Sequence, residues 1–573
     1  MRKLLISILS VAFLLVPQGA ADACTNVIIS RGASADGSCM VSYAADSHVL
    51  FGELYFHKAA DWKPGARLNI IEWDTYKPLG DIAQVAHTYQ TVGNMNEHQL
   101  IIGETTWGGR EEQVNPDGVM DYGSLIYITL QRARTAREAI ETIVALANEY
   151  GYPSEGETFS IADKDEAWVM DLVGKGEQKG IVWVARRIPD GYICAHANQA
   201  RITTFPWNDP ENCLFAPDVA SYARSMGWYE GDDAGFSFRD AYNPLDFGGA
   251  RACDARAWSA FNILCDGVFT YMDADGKEVS APATDWLNYA MGYDLAGEMP
   301  LFVKPSRKIT VKDVANVMRD HYEGTPMDMT QDIGAGGNAL PYRWRPMNFT
   351  VDGKTYVNER AIATQQTGFW FVGQARGWLP DEIGSLLWFG CDDAATSYLT
   401  PIYVNTMDVP DCVRVGNGDM LHYSPTSTFW MCNRVANACY KMYDRMAPFV
   451  REAADKFENE QMFTKVKEND GKLLKIYNGK GKPGKKAAVK KVRKALTRYT
   501  VDTAQKQFSD WSKLEETLLV KFIDGNIKAQ EADGSFSHTE YHDGTPKGLQ
   551  YAGYTDLWKE VVAREHGSII ESK

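Results

Sequence analysis

The feature that most constrains this chain is where its first usable residue falls. Residues 1–23 carry Arg2 and Lys3, an apolar run from Leu4 to Val16, and the small-x-small triplet Ala21-Asp22-Ala23. These are the three parts of a secretory signal. A mature product begins at Cys24, so the fold must accommodate a cysteine and a free α-amine at its first position. The apolar run is shorter than the roughly 20 residues a membrane span needs, and no later uninterrupted run reaches that length. The expectation is an exported protein, periplasmic or extracellular, with no transmembrane segment. Cys24 itself has three readings: a lipid attachment point, half of a disulfide, or a nucleophile. Lipoprotein signals generally carry a larger aliphatic residue three positions before the cysteine and a small uncharged one two before, where this chain has Ala21 and Asp22.

Removing 23 of 573 residues leaves 550, room for one large domain or two to four ordinary ones. With 16 Trp and 28 Tyr, a sizeable core is assured. The net charge of −16 argues against a nucleic-acid partner. Ten cysteines in so long a chain make no dense disulfide framework. Cys432 and Cys439, seven apart on an expected helix, span about 10 Å of axis, beyond the roughly 7 Å that a bridge tolerates. The absence of any CxxC leaves a structural zinc site without support.

The first half reads as strands and turns. TNVIIS (25–30) and CMVSYAAD (39–46) flank an Asp36-Gly37 turn signal, which predicts a hairpin. Segments 98–106, 166–174, 180–188 and 191–198 continue the strand character. Residues 135–151 predict a helix, with Thr135 and Glu138 as a capping box, an apolar stripe including Ile140, Ile143 and Leu146, and Gly151 as its stop. Further hairpins are expected at Asp275-Gly276 and Asp352-Gly353, then helices from about 427 to 524. The lysine-rich stretch 480–494 reads either as a solvated loop and helix face or as a contact with an anionic surface.

Several chemistries lack their signatures: there is no HExxH, GxxxxGK[ST] or GxSxG. A calcium loop from Asp273 fails because its twelfth position is Thr284, where a bidentate Glu is needed. No metal and no cofactor are expected. A cysteine protease with His48, His98 or His196 as base stays open. The hairpin offers another arrangement. A turn centred near residue 35 puts Cys24 opposite Asp46, gathering a thiol, an α-amine and a carboxylate at one strand end. The amine titrates ordinarily near 7.7 to 8.0 and the thiol near 8.5, so the amine can take the thiol's proton after a modest shift. Asp46 either holds that amine or is a strand-end residue facing water.

At these residues the sequence resembles the C69 dipeptidases among the N-terminal nucleophile hydrolases, relatives of the penicillin V acylases and bile salt hydrolases. The matching stretches are ACTNVIISRGASADGS (23–38), AADS (44–47), NEHQLIIGETTWGGREE (96–112), DYGSLIYITLQRARTAREAIE (121–141), ETFSIADKDEAWVMDL (157–172) and VARRIPDGYICAHANQARI (184–202), with a looser likeness through 388–404. The resemblance implies an α+β fold, a four-layer αββα sandwich of two antiparallel sheets between helix layers. It implies dipeptide hydrolysis through an acyl-enzyme on Cys24, with its own amine as base. By the same resemblance Asp46 is the acidic residue that contacts the nucleophile, Asn96 the oxyanion-stabilising asparagine, Asn198 a second polar residue near the acyl group, and Arg201 the arginine near the site. Glu104 and Arg110 are candidates to bind a substrate terminus, since arginine can clamp a carboxylate; an exposed ion pair is the other reading. The family's arginine three residues before the acidic residue is replaced by Tyr43.

The expected organisation is thus a signal peptide (1–23), a catalytic domain (24–426) and a mostly helical C-terminal section (427–573). The expected partners are small peptides, with homo-oligomerisation left open. An N-acyl amide hydrolase of the same fold and a lipid-anchored, non-catalytic binding protein are the alternatives.

Overall fold

The computed structural model describes residues 24–479 and 485–572. Residues 1–23, where a signal peptide is expected, and the first residues of the lysine-rich stretch lie outside them. From Cys24 the chain enters strand Thr25–Ile29, five residues without one exposed side chain. That strand pairs with Cys39–Asp46 on one side and Ile193–His196 on the other. The sheet continues through Thr367–Ala375, Ser385–Cys391 and Thr400–Tyr403, every pair antiparallel. The predicted hairpin is present, with a register one residue shorter than expected. Thr25 stands opposite Ala44, so Cys24 is level with Ala45 rather than Asp46.

The second sheet has eight antiparallel strands, ordered Cys213–Phe215, Gln178–Arg187, Ala167–Lys175, Gly156–Ala162, Ile101–Trp107, Met95–Asn96, Thr91–Val92 and Phe56–His57. Successive side chains on a strand point to opposite faces, and each sheet uses both. Ile28, Val41, Ile101 and Val169 share one core between the sheets. Val27 and Ile29 pack outward with Trp258, Phe261 and Val314, against helices Ala255–Leu264 and Val311–Val317. Ile102, Ile161 and Met170 pack outward with Leu125, Ile140 and Ile143, from helices Tyr122–Arg132 and Ala136–Tyr150. The sheets approach so closely at Gly103 that a Cβ there would lie 2.9 Å from the side-chain amide of Asn26.

Helix Ala136–Tyr150 starts and stops where its sequence says. Thr135 Oγ1 accepts from the Glu138 amide at 3.2 Å, Glu138 reaches back to the Arg134 amide, and Gly151 adopts φ 83°. Burying Ile140, Ile143 and Leu146 contributes on the order of 2 kcal/mol each. The hairpins at Gly276 and Gly353 are also present, and Asp273 accepts from the amides of Asp275 and Lys277, which makes that segment a turn. All ten cysteines are unbridged.

Residues on both sides of 427 pack into the same apolar clusters. Phe429, Cys432, Val435 and Trp511 extend the apolar cluster that includes the core between the sheets, while Leu473, Val492 and Leu496 join the cluster outside the first. Helix Lys485–Lys521 covers the edge strand Thr400–Tyr403, and Thr500 Oγ1 accepts the Tyr403 amide at 3.2 Å. A free sheet edge is thereby closed. After 522 the helical expectation gives way to short strands between Asn526 and Tyr551, before helix Asp556–Ile570.

Candidate active site

Cys24 sits where the two sheets meet, with only 4% of its surface exposed. Its thiol lies 3.6 Å from Glu104 Oε1 and 3.7 Å from the Tyr43 hydroxyl. Tyr43 in turn donates to Glu104 Oε1 at 2.6 Å, and its ring is held edge-on between Phe369 and Phe371. Glu104 is fixed from behind by Asn26. In the amide orientation that satisfies both of its ends, Asn26 donates to the Glu104 carbonyl at 3.1 Å and accepts the Glu104 amide at 3.0 Å. Burial, then the charges of Glu104 and Asp46, push the Cys24 thiol well above its ordinary range, while the Asp46 backbone N–H and Tyr43 pull it down. With its nitrogen still in a peptide bond, this cysteine is held as a neutral thiol.

Asp46 does not face water: it is fully buried. Its carboxylate accepts from Arg360 at 2.7 Å and from Thr367 Oγ1 at 2.6 Å. Burial raises it, opposed by Arg360, Thr367 and the more distant Arg256. Arg256, from helix Ala255–Leu264, reaches into the site and donates to the Cys24 carbonyl at 2.6 Å, to Thr25 Oγ1 at 2.8 Å and to Asn198 Oδ1 at 2.9 Å. One buried guanidinium therefore fixes both the first residue and Asn198. Asn198 adopts φ 55°, a left-handed conformation that asparagine tolerates better than most residues, and its Nδ2 donates to the Thr106 carbonyl.

The remaining expected residues divide. Glu104 touches the thiol. Arg110 donates to the Ala241 carbonyl at 2.9 Å and lies over Trp228, with no acid paired to it among the described residues. Arg201 is bonded to backbone carbonyls. It is 5% exposed and donates to the carbonyls of Ala195 and Pro300, with Asp254 3.5 Å away. Such a guanidinium is already spent. Asn96 is likewise occupied. Its amide donates to the Leu130 and Ala133 carbonyls, both at 2.8 Å, and its Oδ1 accepts the amides of His98 and Leu100. It ties the turn after Met95–Asn96 to the last turn of helix Tyr122–Arg132 and has no donor left for an oxyanion.

Of the histidines considered for a cysteine–histidine pair, His196 and His98 are engaged elsewhere. His196 is clamped between Thr105 Oγ1 and Ser160 Oγ, both at 2.7 Å, and burial plus Arg201 and Arg256 push it down to about 3. His98 packs on Tyr89 and faces Asp381 at 3.6 Å.

Four residues that sequence reasoning did not single out complete the site: Arg256, Arg360, Thr367 and Glu157. Three come from positions more than 230 residues after Cys24, and no local spacing announces them. Glu157 could have been found, because its strand pairs with Ile101–Trp107 and sets it opposite Thr106, beside Glu104.

A family model described as Peptidase family C69 matches residues 66–456, a span that begins after Cys24. A protein named "Probable dipeptidase" from Salmonella dublin is 26% identical over 422 residues, covering 69% of this chain and 84% of its own. "Dipeptidase A" of Lactobacillus helveticus is 22% identical over 484 residues, with 80% and 90% covered. "Dipeptidase" of Bifidobacterium longum is 25% identical over 460 residues, with 73% and 76% covered. With most of its length matched by that model and aligned with these relatives, the chain belongs to peptidase family C69.

Proposed function

We propose that this protein is an exported dipeptidase in which removal of residues 1–23 makes Cys24 the N-terminal nucleophile, on a four-layer αββα scaffold of the two sheets and their flanking helices. The observation that carries the reading is the placement of Cys24, ahead of a central strand with its thiol against Tyr43 and Glu104. The relatives named as dipeptidases supply the substrate class. Cleavage of the leader exchanges a neutral peptide nitrogen for an amine that ordinarily titrates near 7.7 to 8.0. That amine takes the Sγ proton. The thiolate attacks the peptide carbonyl carbon, forming the C–S bond and placing negative charge on the carbonyl oxygen.

Asn198, oriented through Arg256, is the candidate donor to that oxyanion; such donors are typically worth about a hundredfold or more in rate. Collapse breaks the C–N bond, and the ammonium of Cys24 gives its proton to the departing amine. Water then adds to the thioester, with the amine accepting its proton, and the acid leaves as the thiol is restored. Asp46, paired with Arg360 and Thr367, anchors the strand end on which this happens.

The test is the mass of the N-terminal peptide of the exported protein, together with Cys24→Ala and Cys24→Ser assayed on a dipeptide panel. A free Cys24 amine and loss of at least about a thousandfold in the alanine variant are expected. An acylated Cys24 amine, a chain starting elsewhere, or full activity in the alanine variant refutes the mechanism.

A further inference from the structure

Glu104 and Glu157 stand side by side on neighbouring strands and are 1% and 0% exposed. Glu104 Oε1 is taken by Tyr43 and Cys24, and Glu157 Oε1 accepts from Thr106 Oγ1 at 2.8 Å. Glu157, whose Oε2 is wholly buried, has the Glu104 carboxyl as its hydrogen-bonding neighbour. Two facing carboxyls out of water cannot both ionise. Burial, then Glu104, push Glu157 well above its ordinary range, so the pair shares a proton and retains one charge. An arriving cation with several N–H groups can displace that shared proton and bond both carboxyls at once.

The acyl-enzyme supplies one. In a thioester on Cys24, the α-nitrogen of the acyl residue is three bonds from Sγ, and Sγ is 3.6 Å from Glu104 Oε1. An ammonium there can donate to Glu104 and turn a second hydrogen to Glu157. An N-acylated nitrogen brings neither the charge nor enough hydrogens. Tyr122 stands within electrostatic reach of Cys24 and both glutamates, and Asp74, which accepts from its hydroxyl at 2.8 Å, within reach of Glu157. The neighbouring Thr75 and Tyr76 are exposed, which puts the solvent-facing side of the cluster at this loop.

We propose that the Glu104–Glu157 pair is the subsite for the free α-ammonium of the substrate and selects unblocked peptides over N-blocked ones. The inference rests on Cys24 being the nucleophile. The experiment compares kcat/KM of the mature protein for alanyl-alanine and for propionyl-alanine, which differ only in the amino group. Wild type should prefer alanyl-alanine, and that preference should fall as pH rises above about 8 and the substrate amine loses its proton. Because the enzyme's own titrations affect both substrates, the ratio isolates the substrate.

Glu157→Gln should lose about thirtyfold on alanyl-alanine, mainly in KM, and little on propionyl-alanine; Glu104→Gln should shift the ratio the same way. Equal losses on both substrates would overturn the proposal and assign the pair to the amine of Cys24 itself. A wild-type ratio near one at neutral pH, measured without any variant, would overturn it too. Failure of the nucleophile reading shows separately, as hydrolysis of alanyl-alanine by Cys24→Ala.

Discussion

Two buried carboxylates in this molecule have opposite surroundings. Glu458, on the helix Tyr443–Glu460, is fully buried and meets three cations: Arg319 at 2.6 Å, Lys312 at 2.6 Å and Arg451 at 3.2 Å. Despite burial, Arg319 and then Arg451 and Lys312 lower it to about 2. Glu157 is as deeply buried, but its charged neighbour is another acid. A carboxylate matched on all sides fixes structure, here docking the helical section onto the first sheet's outer helices. One placed against its own kind costs stability, and that mismatch beside a nucleophile marks where chemistry or binding is expected.

The sharpest way to break this contrast is to remove the matched charge. Glu458→Gln leaves three cations facing a neutral amide and should destabilise the protein by about 3–5 kcal/mol, read as a fall in denaturation midpoint. Activity per folded molecule should be unchanged. The sign of the pH effect follows from the depressed value. Glu458 stabilises fully above the ordinary carboxylate range near 4.5, and the contribution is lost as pH falls toward about 2. Wild type should therefore lose its advantage over the variant across that window, and a constant difference between pH 6 and pH 2 would refute the assignment.

The second test concerns Asn96, for which the resemblance implies an oxyanion role and whose side chain is bonded to four backbone groups. Asn96→Ala frees the Leu130 and Ala133 carbonyls and the His98 and Leu100 amides. A loss of about 2 kcal/mol is expected, with kcat/KM within about twofold of wild type once corrected for folded fraction. A hundredfold fall in kcat in a fully folded variant would restore the oxyanion role.

Asn96 also shows what a sequence can and cannot disclose. Its bonds to the amides two and four residues later are the local habit of asparagine in turns, which the motif reading passed over. Local rules located the strands, the Thr135 cap and the Asp-Gly hairpins, because alternation, capping and left-handed turns are decided within a few residues. They missed the hairpin register by one, since that register is set by pairing on both flanks of Cys39–Asp46. Arg256 and Arg360 were beyond reach: their partners lie 232 and 314 residues away in sequence, and nothing near them distinguishes a site arginine from a packed one. Tyr43 was noticed as a departure, yet its bond to Glu104 needed both sheets to be in place.

The smallest expected effect is the most discriminating, because it runs against the usual direction of mutation. Glu157→Gln keeps the shape and the hydrogen bond from Thr106 Oγ1, and removes a titratable group whose folded value is raised by burial and by Glu104. A group raised on folding contributes its stability below its unfolded value and loses it as pH rises through the folded one. Glutamine does not titrate, so the variant should match wild type near pH 4 and exceed it by about 1 kcal/mol near pH 8. The same substitution is expected to weaken peptide binding, so stability gained and affinity lost should appear in one protein. A variant less stable than wild type at pH 8 would mean that the two glutamates are compensated as fully as Glu458, and the distinction between a matched and a mismatched carboxylate would no longer mark the site.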